Sequence, residues 1–238
     1  MSLIKFETHC HSLGGSVCAK SSNEQIIEDY VKNGYGGIVL TNHYASYTFE
    51  CDYKKKTLTD NVDYFFELYD SLKKHGEQNG VKIFYGIEVR IVATNTEYML
   101  YGFKPEFLYN NPFIYNLTQQ ELFELCNKNG IFMYQTHPFR QGVKAGLPQF
   151  MHGAEAFNGH FHHPNNNAEA SEFCKQNNLI EMCGTDYHVF NQPLTSAMYF
   201  PDTVRDIFDL TEYLFTQKPE RVEMEEYYQQ EYKKFRGL

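Results

Sequence analysis

The stretch Phe6-Glu7-Thr8-His9-Cys10-His11-Ser12 ends an apolar run that begins at Leu3. In a β-strand, alternate side chains project from the same face, so His9 and His11 point to one side and can share a metal ion. Cys10 then points to the other side and is a poor candidate ligand. Two histidines at this spacing are also common in strands that bind no metal, so the pair predicts a site only if other segments supply partners.

The remaining chain alternates strand-like with helix-like segments. Runs of buried-strand character lie at 37–41, 81–90, 99–103, 131–136, 154–157 and 179–185. Helical patterns lie at 21–34, 59–74, 118–129 and 168–176, and two of them open with a capping-box pattern, Ser21-Ser22-Asn23-Glu24 and Thr118-Gln119-Gln120-Glu121. Strands that alternate with helices predict an α/β fold with parallel crossovers.

Five polar residues lie where predicted strands end: His11, His43, Glu88, His137 and Asp186. In an α/β fold the carboxyl ends of the strands meet at one rim, so these side chains are expected to lie together. Imidazole and carboxylate groups without a thiolate suit Zn²⁺, Mn²⁺ or Fe²⁺. Because the candidate groups exceed what one tetrahedral ion needs, we predict more than one ion, with Glu88 as a bridging carboxylate.

Composition limits the classes of protein that fit. A chain of 238 residues with 42% hydrophobic residues can bury a sizeable core, and we expect a single domain over 1–238 in which 219–238 forms a charged helix packed on the rest. The net charge of −9 disfavours a general nucleic-acid binder. No apolar run of membrane-spanning length is found, so the expected location is the cytoplasm, away from a membrane. The six cysteines lack a C-x-x-C pair and are expected to be free thiols.

Five ordered motifs resemble those of the PHP family, which is named for polymerase and histidinol phosphatase. They are His9-Cys10-His11, Thr41-Asn42-His43, Gly86-Ile87-Glu88, Thr136-His137-Pro138 and Gly184-Thr185-Asp186-Tyr187-His188. The resemblance implies a distorted (β/α)7 barrel with a metal site at the carboxyl ends of the strands, two or three divalent ions, and hydrolysis of phosphate esters. By position, the implied metal ligands are His9, His11, His43, Glu88, His137, Asp186 and His188. The residues expected to support these ligands without binding metal are Glu7, Asn42, Glu155 and Asn158.

The sequence departs from the family pattern at three positions. Members often carry an Asp or a His in the loop after the His-x-His pair, where this chain has Leu13-Gly14-Gly15-Ser16-Val17-Cys18. The usual Asp before the third histidine is Asn42, which is expected to orient His43 with less charge. A metal-binding histidine of the family corresponds to Tyr98. With two ligands expected to be absent, the number of ions is open between two and three, and so is the level of activity.

The implied chemistry needs no protein nucleophile. Metal ions lower the pKa of bound water, so a metal-bound hydroxide can attack phosphorus while the ions neutralise the phosphate oxygens. Arg140 is the first candidate to bind a substrate phosphate and Arg90 the second, although either can instead be a surface arginine paired with a carboxylate. His160, His162 and His163 are rim residues that can touch substrate or belong to a solvated loop.

Three function classes follow from these expectations. The first is a phosphatase of a small phosphomonoester, which the acidic charge favours. The second is a nuclease or nucleotide phosphodiesterase, in which Tyr44, Tyr47 and Phe49 would stack on a base. The third is a non-catalytic metal-binding regulatory domain, which the missing ligands keep open. The sequence identifies neither the substrate nor the oligomeric state.

Overall fold

The computed structural model describes residues 2–48 and 57–238. The strands within them are β1 Leu3–Cys10, β2 Gly37–Leu40, β3 His43–Tyr44, β4 Lys82–Tyr85, β5 Ile87–Arg90, β6 Glu97–Tyr101, β7 Phe132–Gln135, β8 Gly153–Asn158, β9 Ile180–Gly184, β10 Ser196–Pro201 and β11 Glu220–Glu223. The α-helices are α1 Asn23–Lys32, α2 Leu58–Gln78, α3 Pro105–Asn110, α4 Gln119–Lys128, α5 Asn167–Gln176, α6 Ile207–Thr216 and α7 Glu225–Arg236. The predicted α/β class is confirmed.

The strands form two mixed sheets. One has the order β11-β10-β1-β2-β4, and the other has the order β3-β5-β6-β7-β8-β9. Strands β1 and β2 run parallel, whereas β10 runs antiparallel to β1, and β6 runs antiparallel to both β5 and β7. An isolated bridge between Cys10 and Tyr187 joins the end of β1 to the segment after β9. The specific (β/α)7 barrel is not confirmed, because antiparallel neighbours interrupt the parallel order in both sheets.

The run 81–90, predicted as one strand, is two strands. Strand β4 pairs with β2 in the first sheet, and β5 pairs with β3 in the second. Gly86 lies between them, and a Cβ at this position would come within 2.5 Å of Cδ1 of Tyr101. The absence of a side chain lets the backbone pass this ring and change sheets. In the second sheet Glu88 lies beside His43.

Side-chain caps explain where two of the helices begin. Thr118 and Glu121 form the predicted capping box of α4, in which each residue bonds to the backbone of the other. The box of α1 uses Ser22 and Gln25, one residue later than predicted. Glutamine and glutamate can both accept the N-cap N–H from the third helical position, so the local pattern did not decide between Ser21 and Ser22 as the N-cap.

The end of the chain differs from the predicted helix over 219–238. Residues Glu220–Glu223 form β11, which pairs with β10, and α7 begins only at Glu225. Charged residues suit an edge strand as well as a surface helix, so charge pattern alone did not separate the two. Helix α7 packs through Tyr228, which is 2% exposed and whose ring centre lies 5.8 Å from that of Phe157.

The hydrophobic core explains how β1 presents its histidines. Cys10 is fully buried in a cluster with Ile26 and Tyr30, so the alternate residues His9 and His11 face the other side. The described cysteines, Cys10, Cys18, Cys126, Cys174 and Cys183, are free as predicted, and Cys51 lies outside the described residues. None of the helices in the described part of the chain is both long and apolar enough to cross a membrane.

Candidate metal centre

The seven predicted ligands lie together beside a cleft whose volume is about 780 Å³. His43, Glu88, His137, Asp186 and His188 line the cleft, whereas His9 and His11 are fully buried behind them. None of them is more than 8% exposed. Together with two further residues, His160 and Glu97, the ligands form groups of three whose donor atoms all lie within 4.8 Å of one another. The groups are His9, Glu88 and His137; His9, His11 and Asp186; His11, His43 and His188; His160, Asp186 and His188; and His43, Glu88 and Glu97. Because these groups share members, they form one continuous cluster that can hold more than one ion.

Glu155 orients the ring of His9. Its Oε1 lies 2.6 Å from Nδ1 of His9, and both side chains are fully buried. A carboxylate at Nδ1 keeps the proton on that nitrogen and leaves Nε2 as a lone-pair donor. That Nε2 lies 3.0 Å from Nε2 of His11 and 3.3 Å from Oε1 of Glu88. Burial lowers the pKa of His9, but the charges of Asp186 and the two glutamates outweigh it and raise this pKa well above its usual value.

His137 and Asp186 have left-handed backbone conformations. Their φ angles are +32° and +49°, in a region that is costly for residues with a side chain and is found at functional sites. The N–H of His137 donates to Oε2 of Glu155 at 2.8 Å, and the Nη2 group of Arg140 donates to Oδ2 of Asp186 at 2.5 Å. These bonds hold both residues with their side chains in the cluster.

Several buried polar atoms of the cluster have no hydrogen-bond partner within the described residues: His43 Nδ1, Glu88 Oε2, His137 Nδ1 and His160 Nδ1. Burial of a polar atom without a hydrogen bond is costly. His43 Nδ1 and Glu88 Oε2 lie 2.8 Å apart without hydrogen-bond geometry, so both atoms are available to a cation. Burial raises the pKa of Glu88, but His9 and His43 outweigh it and hold the pKa well below its usual value, so this carboxylate is ionised. Imidazoles around ionised carboxylates fit divalent cations such as Zn²⁺, Mn²⁺ or Fe²⁺.

Glu97 is a candidate ligand that the motifs did not reveal. It lies on β6, is 8% exposed, and its Oε2 is 3.4 Å from Nε2 of His137. The next residue, Tyr98, points to the opposite face of the strand and packs in the hydrophobic core. Of these two neighbouring residues, Glu97 is therefore the one whose side chain reaches the cluster.

Cys18, in the loop after β1, also reaches the cluster. Its sulfur lies 3.1 Å from Nε2 of His188 and 3.4 Å from Nε2 of His43. Burial raises the pKa of the thiol, but hydrogen bonding with these two histidines outweighs it and lowers the pKa to about 6. The loop was expected to offer no ligand, and nothing in its residue pattern indicated that the sulfur would turn toward the histidines.

Ser16 and Asn42 hold this loop. The hydroxyl of Ser16 lies 3.1 Å from Nδ1 of His11 and accepts from the backbone N–H of His43. The side chain of Asn42 accepts from the N–H of Ser12 and donates to its hydroxyl. In the described residues these bonds do not include the ring of His43, so Asn42 shapes the loop and does not orient that ring as expected.

Glu7 supports the cluster through the backbone. Its carboxylate accepts from the N–H of His9 at 2.6 Å, and from the N–H and the hydroxyl of Thr185 at 3.0 and 2.6 Å. These bonds tie the end of β1 to the segment after β9, next to Asp186. Burial raises the pKa of Glu7 to about 7, against the opposing effect of these hydrogen bonds.

Arg140 lines the cleft and is also hydrogen-bonded to residues of the cluster. Its guanidinium donates to Asp186, to Oδ1 of Asn158 at 2.9 Å and to Oδ1 of Asn165 at 2.8 Å. Asn158 donates in turn to Oε2 of Glu155 at 2.9 Å. The side chain of Arg140 is 14% exposed, so it pairs with a carboxylate of the site and does not lie on the open surface.

Arg90 lies at the mouth of the cleft. Its side chain is 39% exposed, and its Nη1 is 3.5 Å from Oε1 of Glu97. The guanidinium carbon lies 5.9 Å from the centre of the Tyr47 ring. With Arg140 and Lys20, it gives the lining of the cleft three cationic side chains.

The three rim histidines have different positions. His160 is 7% exposed, and its Nδ1 lies 3.4 Å from Oδ2 of Asp186, so it belongs to the cluster and is not part of a solvated loop. His162 is partly buried and His163 is exposed, and both line the cleft. The ring of His162 stacks on Phe235 of α7, with 4.1 Å between their centres.

The aromatic residues after His43 also differ. Tyr47 lines the cleft, whereas Tyr44 is fully buried and its hydroxyl donates to the carbonyl of Pro112. Phe49 lies outside the described residues. Of the two described tyrosines, Tyr47 is thus the one positioned to meet a substrate.

Solved structures share this fold. The chain aligns over 92% of its length with a two-domain protein from Bacteroides vulgatus that contains a predicted PHP-like metal-dependent phosphoesterase, with a TM-score of 0.63 and 18% identity. It aligns over the full length of both chains with PsfC from Pseudomonas syringae, with a TM-score of 0.66 and 16% identity. A lesion-specific endonuclease from Pyrococcus furiosus aligns with 92% of the chain, with a TM-score of 0.59 and 14% identity.

The chain spans 64% of the Bacteroides protein and 58% of the endonuclease. No model of a protein family matches the sequence, and no curated protein matches it. Likeness at these low identities establishes the fold and not the substrate. The chain therefore shares its fold with these solved structures, one of which contains a predicted PHP-like metal-dependent phosphoesterase.

Proposed function

We propose that this protein is a metal-dependent phosphoesterase that hydrolyses a small phosphomonoester. The observation that carries the proposal is the buried cluster, beside a cleft, of imidazole and carboxylate groups in which several polar atoms have no hydrogen bond within the described residues. Such groups are costly to bury unless cations compensate them. Guanidinium groups beside the cluster would complete a site for an anionic substrate.

Two or three divalent ions, Zn²⁺, Mn²⁺ or Fe²⁺, would be held by His9, His11, His43, Glu88, His137, Asp186 and His188. When bound, they would supply a water of lowered pKa and positive charge against the phosphate oxygens. Glu155 would keep His9 in the ligating tautomer, because its carboxylate lies at Nδ1. The proposal assigns no nucleophilic role to a side chain.

Recognition of the phosphate would fall to Arg140 and Arg90. Arg140 donates to Asp186 and so lies beside the cluster. Its Nη1, which the bonds to Asp186, Asn158 and Asn165 do not use, would donate to a phosphate oxygen. Arg90 is more exposed and would meet the substrate at the mouth. A cleft of about 780 Å³ suits a small molecule, and the net charge of −9 disfavours a long polyanion.

The test is hydrolysis of p-nitrophenyl phosphate, a monoester, and bis-p-nitrophenyl phosphate, a diester, by protein stripped with a chelator and reloaded with each ion in turn. We expect turnover of the monoester only after reloading, and a loss of at least about 100-fold in His9→Ala. His75→Ala is the control, because His75 lies on α2 and bonds to Glu24 outside the cluster. If neither ester is turned over with any ion, the proposed phosphoesterase activity is refuted and a non-catalytic metal-binding domain is favoured.

A nucleotide phosphodiesterase is the second candidate. The ring of Tyr47 lies 6.1 Å from that of His43 at the cleft, and an exposed aromatic ring can stack on a base. Faster turnover of the diester than of the monoester would favour this candidate and refute the phosphomonoester assignment.

A further inference from the structure

We propose that Cys18 is a thiolate ligand of one ion of the centre, which it binds together with His43, His188 and His11. The inference rests on the metal-binding part of the proposed function. It adds a sulfur donor to a set that otherwise contains imidazole and carboxylate groups.

The distances suit a shared ion. In a tetrahedral zinc site the metal lies about 2.3 Å from sulfur and about 2.0 Å from nitrogen, which separates the two donors by about 3.6 Å. The sulfur of Cys18 lies 3.1 Å from Nε2 of His188 and 3.4 Å from Nε2 of His43. Donor atoms of His11, His43 and His188 lie within 4.8 Å of one another. Two nitrogens on one tetrahedral ion lie about 3.3 Å apart, so binding would draw the histidine donors together by up to about 1.5 Å.

Two of the rings already present the nitrogen that such an ion needs. Nδ1 of His188 lies 2.8 Å from the carbonyl oxygen of Asp186, and Nδ1 of His11 lies 3.1 Å from the hydroxyl of Ser16. A hydrogen bond at Nδ1 favours the tautomer in which Nε2 carries the lone pair. In His188 this Nε2 is the atom that faces the sulfur of Cys18.

The loop holds Cys18 toward these rings although the residue is exposed. Two residues before it, Ser16 accepts from the N–H of His43 at 3.1 Å. Two residues after it, the N–H of Lys20 donates to the carbonyl of His188 at 2.8 Å. The two hydrogen bonds thus tie the loop, on either side of Cys18, to His43 and His188, the two histidines that the sulfur contacts.

A second observation, independent of the sulfur, points to an ion beside His43. Its Nδ1 and Oε2 of Glu88 lie 2.8 Å apart, and both atoms are buried without a hydrogen bond in the described residues. His43 therefore contacts a carboxylate without a hydrogen bond at Nδ1 and faces the Cys18 sulfur at Nε2. A cation in this part of the cluster would compensate these atoms.

A thiolate changes which ion the site prefers. Soft sulfur ligands favour Zn²⁺ and Co²⁺, whereas carboxylate oxygens suit Mn²⁺. We therefore expect the wild-type protein to prefer Zn²⁺ over Mn²⁺ and Cys18→Asp to lower that preference by about tenfold or more.

The test is optical spectroscopy of the full chain loaded with Co²⁺. A thiolate bound to Co²⁺ produces an intense charge-transfer band in the near ultraviolet, which imidazole and carboxylate ligands do not produce. We expect the band in the wild type and in the control Cys174→Ser, whose sulfur is buried against the carbonyl of Ala154, and its loss in Cys18→Ser. Cys18→Asp should bind as much cobalt as the wild type without the band, and it gives the same readout if Cys18→Ser folds poorly.

Three results would overturn the inference. A band that survives in Cys18→Ser, or bound cobalt without a band in the wild type, would refute the Cys18 ligand and leave the proposed function standing. Failure of the wild type to bind cobalt at all would refute the metal centre and the thiolate ligand together.

Discussion

The carboxylate of Glu155 and the imidazole of His9 form a fully buried pair with 2.6 Å between Oε1 and Nδ1. The other oxygen of Glu155 accepts from the backbone N–H of His137. One carboxylate thus orients a ligand on β1 and positions a second ligand after β7. Its importance to the centre can be measured separately from that of the ligands themselves.

Glu155→Gln should lower the affinity for the bound ions by about 10- to 100-fold, because an amide holds the His9 tautomer less strongly than a carboxylate does. The measurement is isothermal titration of the stripped protein with Zn²⁺. Glu181→Gln is the matched control, since Glu181 lies on the neighbouring strand β9 and pairs with Arg221 at 2.9 Å. Equal affinities of the two variants would contradict the role of Glu155.

Glu97→Gln should reduce the metal content or lower the affinity for one ion by about 10-fold or more. The reason is that its Oε2 lies 3.4 Å from Nε2 of His137, close enough for both atoms to bind the same ion. Tyr98→Phe should leave the metal content unchanged, because that ring packs in the core. Elemental analysis of both variants after dialysis measures the difference. If only Tyr98→Phe lost metal, the assignment of the Glu97 face of β6 to the metal cluster would be wrong.

Glu97 also shows where sequence reasoning reached its limit. The strand was predicted to begin at 99, whereas β6 begins at Glu97, so Glu97 was placed outside the strand and was assigned to neither face of the sheet. His9, His11 and Glu88 were predictable because they lie inside or at the end of clear strand patterns. The contact of Cys18 with His188 was not, since it depends on how a loop folds back on residues about 170 positions away.

The two-sheet arrangement was beyond local patterns for a similar reason. Strand β10 pairs antiparallel with β1, placing Leu3 opposite Pro201. The same alternation of apolar residues suits a parallel and an antiparallel neighbour, so the pattern predicted strands without their partners. Gly86 was one signal of the change of sheet, because an isolated glycine in a strand pattern often marks a break.

Gly184→Ala should displace His9 and so disturb the metal centre. Its Cβ would lie 2.5 Å from Cβ of His9 and 3.1 Å from Oε1 of Glu7, so we expect a loss of about 1–3 kcal/mol in the free energy of unfolding and weaker metal binding. Gly130→Ala is the control: its φ of +66° is unfavourable for alanine, but nothing lies within 4 Å of the added Cβ. The control should lose about 1 kcal/mol of stability and keep its metal affinity.

Arg140→Ala and Arg90→Ala should differ in their effects on stability. Loss of Arg140 removes the guanidinium partner of the buried carboxylate of Asp186, which nearby histidines such as His160 replace only in part. The metal-free protein should therefore lose about 2–4 kcal/mol, and bound ions should restore part of it. Loss of the more exposed Arg90 should raise KM with little change in stability. Thermal unfolding with and without ions, together with monoester kinetics, measures both. Equal destabilisation by the two substitutions would contradict the assignment.

His152 provides a prediction about pH that is separate from the metal centre. Its Nδ1 accepts from the N–H of Met133 at 3.0 Å, its Nε2 lies 2.8 Å from Oδ1 of Asn127, and its ring stacks on Phe132. Burial lowers its pKa to about 4, against about 6.5 in an unfolded chain. Because the unfolded state takes up the proton first, His152 should destabilise the fold progressively as the pH falls from about 6.5 to 4.

His152→Leu should therefore unfold more easily at neutral pH, by about 1–2 kcal/mol for the two lost hydrogen bonds, but lose less additional stability on acidification. Urea unfolding of the chelator-treated proteins at several pH values measures both effects. Cys126→Ala is the control, because it removes buried volume without removing a group that titrates in this range. Its curve of stability against pH should run parallel to that of the wild type. A parallel curve for His152→Leu as well would show that the histidine does not need to be neutral in the folded protein.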